Sequence, residues 1–302
     1  MNISPASISL IQSQVSNSLI NSTFGTNSND SWTALFSLMV SNSAPTNSLS
    51  PDLASLLTQS NPINQGNTNS VFAAGRNMTL ADPESAYKMM TVINNDDVLY
   101  KAQFSELSQI QSSVFHMQDA GQGLGSITTS TGNGDIKSQV QNFVGEYNNW
   151  IQRVNPDIQN GGLLADTQAA QVSQFELEQN VNNRIFGGKD GVHGLSDLGV
   201  TIDPNSHLAS LDATKLDSIL GSNKQGVVDT IQQFSANFAK SASLLNSDGN
   251  FIPNQLDNLN RAIHFIADNK NSLQAEFGTG NAAHPTGQVA QALAAYNQTC
   301  SA

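Results

Sequence analysis

Gly194-Leu195-Ser196-Asp197-Leu198-Gly199-Val200-Thr201-Ile202-Asp203-Pro204, continued by His207 to Leu211 and then Asp212-Ala213-Thr214-Lys215-Leu216-Asp217 with Leu220, reads as strand, turn, strand and capped helix. Val200 and Ile202 alternate with polar neighbours, which is the side-chain period of a half-buried strand. Pro204-Asn205-Ser206 supplies turn chemistry, and Leu208 to Leu211 forms a second short run that completes a hairpin at about 198–211. Asp212 then offers a carboxylate to the open amides of a helix start. No group in this arrangement is placed for chemistry.

Outward from the hairpin, the apolar period is that of helices. Asp82-Pro83-Glu84 opens one, because proline has its φ preset and carboxylates favour the positive end of the helix dipole. Ala86, Met90, Ile93, Tyr100, Phe104, Leu107, Ile110, Val114 and Met117 then recur mostly three or four apart, with Asp97 as a polar interruption. Gly121-Gln122-Gly123-Leu124-Gly125 ends that helix. A second carries Ile136, Val140, Phe143, Tyr147, Ile151 and Val154 and stops at Asn155-Pro156. A third, after Gly162, carries Val172, Phe175, Val181 and Ile185 up to Gly187-Gly188. Past the hairpin, Val227, Ile231, Phe234, Phe238 and Leu244 mark a helix closed by Asn246 to Asn250. Leu256, Leu259, Ile263, Ile266, Leu273 and Phe277 follow at alternating steps of three and four, a coiled-coil stripe with Lys270 at one seam position. Such a stripe requires a partner, either the 82–117 helix of the same chain or another copy.

Composition changes sharply near Arg76. Before it the only charged residues are Asp30 and Asp52, and Ser, Asn, Thr, Gly and Pro dominate, so residues 1–80 read as a largely disordered, low-complexity tail. Trp32 to Val40 and Ser50 to Leu57 are its two apolar pieces, candidate docking segments or merely sticky turns. Residues 281–302 read as a short helix, about Gly287 to Gln298, and a tail.

Twenty-four acidic against 12 basic residues give a net charge of −12, which opposes binding to nucleic acid and to anionic membrane surfaces. No stretch approaches a membrane-spanning length, so no membrane insertion is expected, and Met1-Asn2-Ile3-Ser4-Pro5 lacks the features of a classical secretory signal. The single cysteine, Cys300, excludes an internal disulfide and a Cys-x-x-Cys metal clip.

Catalytic signals are sparse. His116, His193, His207, His264 and His284 are scattered, and none lies three or four residues from another His or from Cys, so no metal site is expected. His116 reads as a helix-surface residue. There is no Gly-x-Ser-x-Gly elbow and no alternating strand–helix pattern to carry a triad. The run Gly121 to Gly125 follows a helix rather than a strand and lacks the Lys-Ser/Thr of a phosphate loop. Lys189-Asp190-Gly191 and Asn246-Ser247-Asp248-Gly249 lack the oxygen spacing of an EF-hand, and Asp96 and Asp97 read as a solvated pair. No catalytic residue, cofactor or metal is expected.

Three ordered motifs carry a resemblance: Phe143-Val144-Gly145-Glu146-Tyr147-Asn148, then Gly161-Gly162-Leu163-Leu164-Ala165-Asp166, then the Leu198-Gly199-Val200-Thr201-Ile202-Asp203 hairpin with its Asp212 to Leu220 continuation. Over roughly 136–280 this resembles the C-terminal region of the flagellar hook-associated protein 2 family, the filament-capping proteins. The resemblance implies a structural, non-enzymatic protein of the bacterial flagellum, exported through the flagellar channel without a classical signal. It implies flagellin or hook-associated proteins as partners and a possible homo-oligomer. The chain departs from the family pattern in lacking β-rich inserts before this region and in the helix breaks at Gly278-Thr279-Gly280 and His284-Pro285.

The sequence therefore predicts a mainly α protein, an elongated antiparallel helical bundle or coiled coil over 81–280 with one small β-hairpin. Its assembly seam is expected at Tyr100, Phe104, Leu107, Ile110, Val114, Leu256, Leu259, Ile263, Ile266, Leu273 and Phe277. A secreted or surface binding (adhesion) protein that keeps the fold without capping activity, and a cytoplasmic factor that binds flagellar subunits, are the alternative functions.

Overall fold

The computed structural model describes residues 72–185 and 191–300. The candidate docking segments in 32–57 and the Gly187-Gly188 helix stop lie outside the described residues. The fold is mainly α. In chain order come β1 (Phe72–Ala73), β2 (Arg76–Asn77), α1 (Pro83–Gly123), a 3-10 turn (Leu124–Ser126), α2 (Asn133–Ile158), α3 (Gln168–Asn182), β3 (Val200–Ile202), β4 (Ala209–Leu211), α4 (Ala213–Ser222), α5 (Lys224–Leu245), α6 (Phe251–Phe277) and α7 (Gly287–Cys300). The chain divides into two compact units, 107–254 and a second built from 1–106 with 255–302, so that α1 and α6 each contribute to both.

In the 107–254 unit, the last part of α1 runs antiparallel to α5. Ser235 Oγ donates to the Gly121 carbonyl (2.7 Å) and Asn246 Nδ2 to the Gln111 carbonyl (3.2 Å). The two helices come this close because Gly121 has no side chain: a Cβ there would strike the Phe238 ring. Phe143 of α2 meets Phe234 and Phe238 of α5 edge-on, with ring centroids 5.2 Å apart in both cases. Edge-to-face geometry adds attraction beyond area burial alone. The hairpin pairs Val200 with Leu211, Thr201 with Ser210 and Ile202 with Ala209, which turns Val200 and Ala209 inward and leaves Thr201 and Ser210 in water. Asn148 of α2 fixes it: Nδ2 donates to the Ala209 carbonyl (2.9 Å) and Oδ1 accepts the Ala209 N–H (2.7 Å). Asp203 Oδ1 gathers the N–H groups of Asn205 and Ser206 at 3.0 and 2.7 Å and shapes the turn, and Asp212 caps α4 by accepting Lys215 N–H at 3.0 Å.

In the other unit, Asp82 caps α1 through Ser85 N–H (3.0 Å), directly before Pro83. The hairpin β1–β2 clasps the turn between α6 and α7. Asn77 Nδ2 donates to the carbonyls of Ala275 and Glu276 at 3.0 and 3.1 Å, the open C-terminal carbonyls of α6, and Thr279 N–H donates to the Gly75 carbonyl at 2.8 Å. Asn94 of α1 holds the same turn by donating to the carbonyls of Thr279 and Asn281. Gly280, at φ +61°, is required there: a Cβ would lie 2.6 Å from the Thr91 nitrogen.

Several expectations need correction. Residues 72–80, read from composition as the end of a tail, carry this hairpin, whose order comes from pairing to distant carbonyls and not from local propensity. Helix α2 passes through Pro156 to Ile158. So close to the C-terminus the missing proline N–H costs a single ladder bond, and Gln159 N–H still reaches the Asn155 carbonyl. Helix α3 buries Ala169, Ala170, Ser173, Leu177 and Val181 and exposes Phe175, while Ile185 lies beyond its end. Small residues face the packed side, where helix approach is close, and the aromatic one faces out. In α5 the buried residue is Leu245 and not Leu244.

Candidate functional site

Among the described residues no group of three or more His, Cys, Asp or Glu is placed to hold a metal ion, and no helix is long and apolar enough to cross a membrane. The depression beside the glycine run 121–125 is lined by Gln139, Asn142 and Glu146 among others, with no Lys or Arg in its wall to attract phosphate.

The predicted seam residues distribute between the two units. Tyr100, Phe104, Leu256, Leu259, Ile263, Ile266, Leu273 and Phe277 belong to the unit of the chain ends, and Leu107, Ile110 and Val114 to the other. All are buried except Phe104 and Phe277, which are half-buried. Lys270, at a seam position of α6, is exposed. Within its unit Phe104 meets Tyr296 of α7 edge-on at 5.9 Å, a pairing that the weak α7 stripe did not announce. Within the other, Leu107, Ile110 and Val114 lie on the part of α1 whose Gln111 carbonyl accepts from Asn246, the residue that follows α5.

Charge is arranged less simply than the sequence indicates. Asp96 and Asp97 are not a freely solvated pair. Asp96 is half-buried, and withdrawal from water pushes its carboxyl up to about 6. Asp97 pairs with Lys101 at 2.7 Å through one oxygen, while its other oxygen is buried without a partner. In the other unit the buried Asp157 carboxylate takes Arg153 at 2.6 Å, and Arg153 reaches on to Gln109 of α1. His207, at the hairpin turn, meets Glu178 of α3 at 2.9 Å. Tyr147 OH and Trp150 Nε1 are buried on α2 without a partner, and burial, with Glu178 nearby, raises the Tyr147 phenol. His116, His264 and His284 are exposed.

Among the described residues four large apolar side chains stand in water: Phe115, Phe175 and Leu244 in the 107–254 unit, and Met78 in the other. Sequence periodicity placed Phe175 and Leu244 in the core. Their exposure was not legible because a helix stripe of three or four residues fixes the packed face only to within one step. Singly exposed apolar residues are ordinary, so these are candidates for contact and not proof of it.

The model of the family described as flagellar hook-associated protein 2 C-terminus matches residues 63–283. No curated protein sequence matches the chain. Among solved structures, the crystal structure of the flagellar cap protein FliD D1-D2-D3 domains from Escherichia coli aligns at 18% identity and a TM-score of 0.38, covering 42% of this chain and 37% of that one.

Proposed function

This chain belongs to the flagellar hook-associated protein 2 family through its C-terminal region, and on that premise we propose that it is a cap-like structural component of the bacterial flagellum that works by assembly and not by catalysis. The family match over 63–283 carries this reading. Support comes from the way the chain spends its side chains: buried apolar stripes on α1 and α6, and polar residues engaged in caps and clamps. In this reading residues 81–280 form the helical assembly body, with the 1–80 and 281–302 segments flanking it. The stripe of Tyr100, Phe104, Leu107, Ile110, Val114, Leu256, Leu259, Ile263, Ile266, Leu273 and Phe277 holds the helices that present its surface to flagellin or hook-associated proteins and to further copies of itself. Localisation at the flagellum follows from that role, with export through the flagellar channel.

Flagellin released into the medium and filament length, measured in a strain lacking the gene, test the proposal. Monomeric flagellin in the medium with short or absent filaments is the expected result. Normal filaments without leakage would refute capping and move the family fold to another task, such as surface binding.

A further inference from the structure

The turn Gly161-Gly162-Leu163-Leu164-Ala165-Asp166 buries Leu163 and Leu164 but lies outside the apolar stripe named above, and Asn160-Gly161 at its head combines several features that make an asparagine chemically labile. Asn160 is exposed and lies outside any helix. Among the described residues its carboxamide makes no hydrogen bond, and the Gly161 N–H has no backbone partner. Gly161 is exposed at φ +87°, and a Cβ there would meet nothing within 4 Å beyond its chain neighbours, so the space beside its Cα is open.

From these features we infer that Asn160 is a site of spontaneous deamidation and isoaspartate formation, a covalent change to this chain that needs only water. The Gly161 backbone nitrogen, having lost its proton, attacks the Asn160 side-chain carbonyl carbon. A new carbon–nitrogen bond forms, the bond to the side-chain nitrogen breaks, and ammonia leaves with a proton. The resulting five-membered succinimide takes up one water. Opening at one carbonyl gives aspartate, and opening at the other gives isoaspartate, in which the main chain runs through the former side-chain methylene.

A second Asn-Gly pair makes the inference specific to structure. Asn133-Gly134 has the same local sequence, but Asn133 is the first residue of α2. Ring closure requires rotating the asparagine ψ well away from helical values, which at Asn133 unwinds the helix start and at Asn160 disturbs only an exposed turn.

The consequence is local and mechanical. The chain on either side of Asn160 is tied: Gly162 N–H donates to the Gln159 carbonyl and Leu164 N–H to the Asp157 carbonyl, both at 2.8 Å. Gly162 is wedged so tightly that a Cβ there would strike the carbonyl oxygens of Pro156 and Asp157. An extra main-chain atom between residues 160 and 161 fits only if the Gln159–Gly162 bond opens, loosening the link between α2 and α3.

Incubation of the folded full chain at pH 8 and 37 °C, followed by peptide mass spectrometry for the deamidation mass gain and by isoaspartate methyltransferase labelling, tests this. Conversion at Asn160 should outpace that at Asn133 several-fold in the folded protein, and the two should converge in denaturant. Asn160→Gln, which cannot close the five-membered ring readily, should abolish the 160 signal while leaving the circular dichroism unchanged. Equal rates in the folded chain, faster conversion at Asn133, or an intact Asn160 while the denatured control converts would each overturn the assignment.

Discussion

At the scale of single residues, Asp96 and Tyr147 are the places where this fold works against itself. A carboxyl raised from 3.8 to about 6 by burial binds its proton more tightly in the folded than in the unfolded chain. The stability it allows is present below about pH 4 and is lost as pH rises towards 6, so at pH 7 ionised Asp96 opposes folding. Asp96→Asn should raise the melting temperature at pH 7.5, by about 1–2 kcal/mol in stability once partial solvent access is discounted. It should also flatten the dependence of melting temperature on pH between 4 and 7. A melting temperature that falls at pH 7.5 would mean that the carboxylate has a favourable partner. Tyr147 presents the same question without charge. Its ring is fully buried and its hydroxyl unpaired, so Tyr147→Phe removes a desolvation cost and should leave stability unchanged or improved in chemical denaturation. A loss beyond about 1 kcal/mol would show that the hydroxyl is satisfied after all. Neither residue could be judged from sequence. Asp96 beside Asp97 reads as a wet pair, and a tyrosine on an apolar stripe reads as core without revealing the fate of its oxygen.

At the scale of elements, what the sequence disclosed depends on whether an element's determinants are local. The β3–β4 hairpin and the Asp212 cap were legible because alternation, turn residues and capping chemistry all lie within a few positions of one another. The clasp β1–β2 was not, because its partners are the carbonyls of Ala275 and Glu276 almost two hundred residues away. The consequences differ accordingly. Asn148→Ala breaks both bonds to Ala209 and leaves a strand N–H and carbonyl half-buried, so unfolding free energy should drop by about 2 kcal/mol while the helices keep their circular dichroism. If denaturant midpoints coincide for variant and parent, the clamp contributes nothing. Asn77→Ala instead should loosen one end of one unit. Backbone amide exchange should accelerate at 275–281 and in α7 while α2 to α5 stay protected, and uniform protection across all helices would rule out a clasp.

At the scale of the whole molecule, the family match over 63–283 takes in both the motif-bearing α2-to-α4 portion and the apolar stripes of α1 and α6. The motifs FVGEYN, GGLLAD and LGVTID lie in the stretch from α2 to the hairpin, where the Asn148 side chain bonds both backbone groups of Ala209, and Asp212 caps the α4 that follows. The stripes on α1 and α6 are ordinary apolar repeats that many sequences could supply, which is why periodicity showed that they exist but not which surfaces they meet. Ile263 lies at the centre of the α6 stripe, 3% exposed. Ile263→Asp puts a carboxylate where it has no room to be hydrated, at a cost of more than about 3 kcal/mol. The variant should therefore unfold at least the unit formed by the chain ends, or fail to assemble, in thermal circular dichroism and sedimentation. The exposed Phe175 provides the contrast. Phe175→Asp removes an apolar side chain from water and buries no charge, so the melt should be unchanged. A loss of assembly with Phe175→Asp alone would place a protein contact on α3, whereas loss only with Ile263→Asp would confine the seam's contribution to holding the fold.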